Sequence, residues 1–145
     1  MKGFGTPDHR PLVFLDSNVV LDYLDGKISW LFNKSTVAKF RYAINPLVFQ
    51  EVVLRGADHE HPRRLEKVMQ QADMLPINMQ ASEPVLLRAR QFRDRATHSN
   101  DVLIIGSAAD CDYLLSSDKV LSRLLNGDRP KVLTPAEFHD EADLR

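Results

Sequence analysis

Four acids stand where apolar runs give way: Asp16 after LVFL, Glu51 within PLVFQEVV, Asp101 ahead of VLII, and Asp118 after YLLSS. Charged side chains are uncommon in such surroundings, because a carboxylate taken out of water needs a partner. Singly, Asp16, Asp101 and Asp118 read as well as turn or helix-capping acids, and Glu51 as a solvated helix residue. Gathered in one crevice they would repel, raising at least one pKa and straining the fold unless a cation compensates. Ligation by oxygen alone favours Mg²⁺ or Mn²⁺ over zinc, and no nearby set of His and Cys argues otherwise. A pair of such ions about 4 Å apart can activate water and stabilise a departing oxygen in phosphoryl transfer. The chemistry expected of these acids is therefore phosphodiester hydrolysis.

The elements that must position them follow from apolar runs and turn residues. Leu12 to Leu15 reads as a strand buried on both faces. Ser17 or Asn18 can cap a helix to Leu24, stopped by Asp25-Gly26. A short helix is expected near Ile28 to Asn33, a strand over Arg41 to Asn45, and a helix from Pro46 towards Ala57. Ala57 to Pro62 reads as a loop and Arg63 to Ala72 as a helix. DMLPIN reads as a poor, peripheral strand because Pro76 cannot donate to a ladder. A helix over Ala81 to Arg95 would bury Val85, Ala89, Phe92 and Ala96, with Arg88 and Arg95 turned away. Ser99 or Asn100 can cap the next helix, which places Asp101 in its first turn and Leu103, Ile104, Ala108 and Cys111 inward. A strand then runs from Tyr113 to Asp118, a helix over Val120 to Leu125, a last Val-Leu strand, and a helix from near Pro135. Alternation of this kind predicts a three-layer α/β/α sandwich with a central, mostly parallel sheet. In such sheets ligands bind beyond the carboxyl ends of the strands, where all four acids could meet. Strand order is not legible.

The chain as a whole sets bounds. Its 145 residues, 43% of them hydrophobic, suit one domain, expected over residues 11–145 behind a loose leader at 1–10. A formal charge of −1 gives no global basic field; an acidic pocket carrying metal can still act on nucleic acid while Arg and Lys contact the backbone. Cys111 is the lone cysteine, which rules out an intrachain disulfide framework and makes the cytoplasm the expected compartment. No run approaches the ~20 apolar residues of a membrane span, and the N-terminal stretch is too polar for a secretory signal.

Taken in order, FLDSNVVLDYL, INPLVFQEVV, HSNDVLIIGSAA and YLLSSDKVL resemble the motifs of a PIN-domain ribonuclease of the VapC-like type, the toxin of bacterial and archaeal toxin-antitoxin pairs. The resemblance runs from about Leu12 to Phe138. It implies that Asp16, Glu51, Asp101 and Asp118 are the catalytic, metal-binding acids, with Asn18 and Ser116 as supporting polar residues. It further implies one or two Mg²⁺ or Mn²⁺ ions and endonucleolytic RNA cleavage leaving 5′-phosphate and 3′-hydroxyl ends. A cognate antitoxin bound by the early helices and a homodimer are its expected partners. The chain departs from the family where a further acid often follows the last one: Lys119 and Val120 come after Asp118. A second metal would then be held weakly or only with substrate phosphate.

Other features carry less. Arg63, Arg64, Lys67, Arg88, Arg90, Arg93 and Arg95 can contact phosphate or simply solvate helices. His59 and His61 lack a third ligand, and His98 can sit near substrate or in a loop. Asp22, Asp25, Asp110 and Asp112 are expected away from the crevice, and Trp30, Phe32 and Phe49 in the core or an interface. An aspartyl phosphatase would want a second Asp where Asn18 stands. The remaining alternatives are a catalytically degenerate PIN-like module that binds RNA or protein, and a PIN nuclease of RNA processing rather than a toxin.

Overall fold

The structure, a computed structural model, describes residues 8–56, 62–92, 99–118, 121–125 and 129–142. Five short strands, β1 (Leu12–Leu15), β2 (Arg41–Ile44), β3 (Ala72–Met74), β4 (Tyr113–Leu115) and β5 (Lys131–Leu133), form one parallel sheet in the order β3-β2-β1-β4-β5. Helices flank it, as the sandwich predicted from the alternation requires. Parallel neighbours need crossovers, and α1 (Ser17–Leu24), α2 (Lys34–Lys39), α3 (Pro46–Gly56), α4 (Pro62–Gln71), α5 (Met79–Phe92), α6 (Ser99–Ala108), α7 (Leu121–Leu124) and α8 (Pro135–Glu141) lie between and after the strands. A 3₁₀ turn, Ser29–Phe32, stands where the short early helix was expected, and α2 after it carried too weak an apolar pattern to be read.

Strand order follows one rule. The chain steps outward from β1 to β2 and β3, then returns to the other side of β1 for β4 and β5. Direction reverses between β1 and β4, the point at which open α/β sheets leave a crevice beyond their strand ends. Val13, Phe14 and Leu15 of β1 and Leu114 and Leu115 of β4 are fully buried, as strands covered on both faces should be. Register pairs Leu15 with Leu115 and Phe14 with Ala43. One residue further along, Asn45, Asp16 and Ser116 therefore lie abreast at the carboxyl edge.

The helices reach their places through specific contacts. Asp25 ends α1 and Gly26 follows at φ 82°, the left-handed conformation expected of the Asp-Gly stop. Arg64 of α4 donates to the Leu24 carbonyl at 2.9 Å, and Arg88 of α5 to the Leu124 carbonyl at 2.8 Å. Both are candidates for phosphate contact; in the fold each closes a helix C-terminus, and Arg88 is half-buried rather than turned away. Along α5 and α6 the backbones approach closely: a Cβ on Gly106 would stand 1.9 Å from Ser82 Oγ. The expected α5 face shows Val85 buried and Ala89 partly so, while the side chain of Phe92 and residue Ala96 lie outside the described residues, as does Arg95.

At the opposite, amino end of the sheet, Asp112 Oδ2 accepts from Leu12 N at 2.8 Å while Asp112 N donates to Leu12 O at 2.9 Å. Arg129 pairs with the other Asp112 oxygen at 3.0 Å. Phe40, Tyr113 and Phe138 form an aromatic cluster near that end, on which Trp30 stacks at 6.3 Å from Phe138. Phe32 is in the core against Tyr42, whose buried hydroxyl has no hydrogen-bond partner among the described residues.

Candidate active site

Asp16 is the first residue beyond β1, and 4% of it is exposed. The sheet carries it there: its amide donates to Leu115 O at 3.0 Å, extending the β1–β4 ladder by one bond. The helix starts at once behind it, with Asp16 itself as N-cap in place of the expected Ser17 or Asn18. Asp16 Oδ1 accepts from Ser17 N at 2.8 Å and Oδ2 from Ser116 Oγ at 2.7 Å. Ser116 Oγ in turn accepts from Asp118 N at 3.0 Å. One hydroxyl thus joins the Asp16 carboxylate to the turn bearing Asp118. β4 ends at Leu115, three residues short of the expected strand terminus at Asp118, because Ser116 turns the chain to make this bridge.

Glu51 reaches the same place from the second turn of α3. Ser17 Oγ donates to Glu51 Oε2 at 2.7 Å. Its 3.4 Å approach to Asp16 Oδ1 is the weaker contact, since one hydroxyl proton serves a single acceptor well and Glu51 is nearer. Asn18, expected to support the acids, is exposed, and among the described residues it makes no hydrogen bond to them; Ser17 is the link. No signal in the sequence singles Ser17 out, since either of two adjacent polar residues after a strand-ending Asp can turn inward.

Asp101 lies in the first turn of α6, as predicted, and is half-buried. Side-chain capping by Ser99 or Asn100 falls outside the described side chains, as His59, His61, His98, Arg93 and Lys119 fall outside the described residues. Burial pushes the Asp16 carboxyl above its ordinary value; the Ser116 and Ser17 hydrogen bonds oppose that shift, and the negative charges of Asp101 and Glu51 add to it. Asp101 and Glu51 thus both act electrostatically on Asp16, and Ser116 ties Asp16 to the backbone amide of Asp118. Asp22 pairs with Lys27 at 3.8 Å and Asp112 serves the far end of the sheet, so neither joins them. Cys111 is buried, its thiol pushed up to about 12 by desolvation and the adjacent acids, and does not titrate near neutrality.

The donor set suits a hard divalent cation: oxygens only, one carboxylate buried and disfavoured as an anion by two others. Among the described residues no three of His, Cys, Asp and Glu already stand as a metal-holding cluster. Glu51, bonded to Ser17, and Asp118, held through its backbone, would need to turn their oxygens to a shared ion.

Comparison with known proteins bears on the fold. A chain of VapBC2 from Rickettsia felis, a complex bound to a DNA fragment from its promoter, superposes with TM-score 0.65 at 12% identity, over 85% of this chain and 98% of that one. A chain of a toxin-antitoxin complex from Klebsiella pneumoniae gives TM-score 0.58 at 16% identity, over 85% and 97%. No family model and no curated protein matches the sequence. These structural neighbours thus come from toxin-antitoxin complexes, one of them VapBC2, and the fold this chain shares with them is the PIN-like one.

Proposed function

We propose that the chain is a Mg²⁺- or Mn²⁺-dependent endoribonuclease and the toxin of a toxin-antitoxin pair. The observation that carries the reading is Asp16, a buried carboxylate at the topological switch point, destabilised as an anion by Asp101 and Glu51 and bridged through Ser116 to Asp118. Asp16, Glu51, Asp101 and Asp118 would hold one or two cations, which would supply charge neutralisation and water activation at the scissile phosphate. Ser116 fixes Asp16 Oδ2, so this carboxylate is oriented before substrate arrives, while Ser17 holds Glu51 Oε2 beside the site until a cation draws it over. No histidine is needed as base. The fold's likeness to chains of toxin-antitoxin complexes supports the toxin role. An antitoxin and a second copy are the proposed protein partners, supported by apolar side chains left on the surface: Phe49, Val53 and Leu54 on α3, and Met79, Leu86 and Leu87 on α5. No described helix is long and apolar enough to cross a membrane.

The test incubates purified protein with a panel of structured RNAs and matched DNAs, with Mg²⁺, with Mn²⁺ and with chelator, beside Asp16→Asn and Asp118→Asn. Cleavage confined to RNA, requiring cation, leaving 5′-phosphate ends and lost by at least 100-fold in both variants is expected. Cleavage that survives chelation or both substitutions overturns the reading.

A further inference from the structure

We propose that Asn45 is a positioning residue of the carboxylate site, its single amide setting the helix that carries Glu51 against the helix that carries Asp101. The inference rests on the reading above that these acids share a cation. Asn45 is the residue abreast of Asp16 at the end of β2 and is fully buried. Its Oδ1 accepts from Val48 N at 3.0 Å, the N3 position of α3, so it is that helix's N-cap, followed by Pro46 at N1. Its Nδ2 points the other way, donating to Ser107 Oγ at 3.1 Å and lying 3.5 Å from Leu103 O, both on α6. Ser107 Oγ passes the connection on to Pro76 O at 2.8 Å, in the segment after β3.

A cap alone would need only the oxygen, and serine or aspartate would serve. The amide adds two protons, directed from a fully buried side chain at a neighbouring helix. Glu51 lies six residues after Asn45 on α3, and Asp101 six before Ser107 on α6. Rotation or sliding of either helix would carry its acid away from Asp16, and the Asn45–Ser107 bond opposes both motions. Outer-shell contacts of this kind typically change metal affinity by about 10–100-fold when removed.

Two variants separate this role from helix capping. Asn45→Ser keeps a capping oxygen but cannot span to Ser107. Ser107→Ala leaves the α3 cap untouched. Thr134→Ala is the control, since Thr134 caps α8 in a capping box and its hydroxyl serves the Glu137 amide of that helix. Mn²⁺ affinity is read by the electron paramagnetic resonance signal of the free ion, and folding by circular dichroism and melting temperature. The expected result is about a 10-fold loss of Mn²⁺ affinity in Asn45→Ser and Ser107→Ala, and wild-type affinity in Thr134→Ala despite its lower melting temperature. Wild-type affinity in folded Asn45→Ser and Ser107→Ala overturns the inference and leaves the cation site standing. A wild-type chain that binds no Mn²⁺ overturns the cation site and the inference with it.

Discussion

A buried aspartate beside two further acids costs a protein stability unless a cation meets it. The Asp16 carboxyl is raised above 3.8 in the fold, so the folded state binds a proton more readily than the unfolded chain. As pH climbs from about 3.8 through the folded value, the metal-free protein should lose stability from this group, and below that window the loss should vanish. Asp16→Asn should flatten that slope and, at neutral pH without metal, raise the stability of the fold. Thermal melts of both proteins across pH, with chelator, check this. A variant less stable than wild type at pH 7 would show instead that the hydrogen bonds from Ser17 and Ser116 outweigh the burial of charge. Sequence could locate this residue, since a strand run ending in Asp marks a sheet's carboxyl edge. It could not separate Ser17 from Asn18, because which of two adjacent polar side chains turns inward is settled by the packing of α1 against α3.

At the scale of elements, strands and helices were largely legible where apolar periodicity was strong. β1, α1, β2 and α3 match their predicted spans within a residue or two, and the weak β3 takes its place as an edge strand ending ahead of Pro76. Helix α2 escaped because KSTVAK offers no apolar face, and Arg88 was misplaced because helical phase says nothing of a carbonyl on α7 that a long side chain can reach. The α5–α6 contact was equally hidden. A glycine inside a helix ordinarily weakens it, yet Gly106 lies hard against α5, with Ser82 Oγ already bonded to Asn78 O at 2.6 Å. Gly106→Ala should therefore destabilise by about 1–3 kcal/mol through overpacking, although alanine favours helix. Denaturant melts of the single variant and of Gly106→Ala with Ser82→Ala check it, since the second substitution should recover much of the loss.

For the molecule as a whole, the order β3-β2-β1-β4-β5 puts the reversal of direction at the centre of the sheet. The β1–β4 seam then has an aspartate at each end. Asp112 at the amino end is matched by Arg129 and by the backbone of Leu12, whereas Asp16 at the carboxyl end meets hydroxyls, an amide and further acids. Truncating Asp112 to alanine should cost about 1–2 kcal/mol, mostly from the stranded Leu12 amide, since the exposed pair with Arg129 adds little. Parallel melts of Asp112→Ala and Asp16→Asn without metal should move in opposite directions. The domain thus has a polarity along its strands. Its amino pole is matched by its own residues, and mutations there should register as folding lesions; on the proposed function its carboxyl pole is finished only by a cation from outside, and mutations there should make the protein sturdier while leaving it idle. A screen for thermal stability alone would select against the working end.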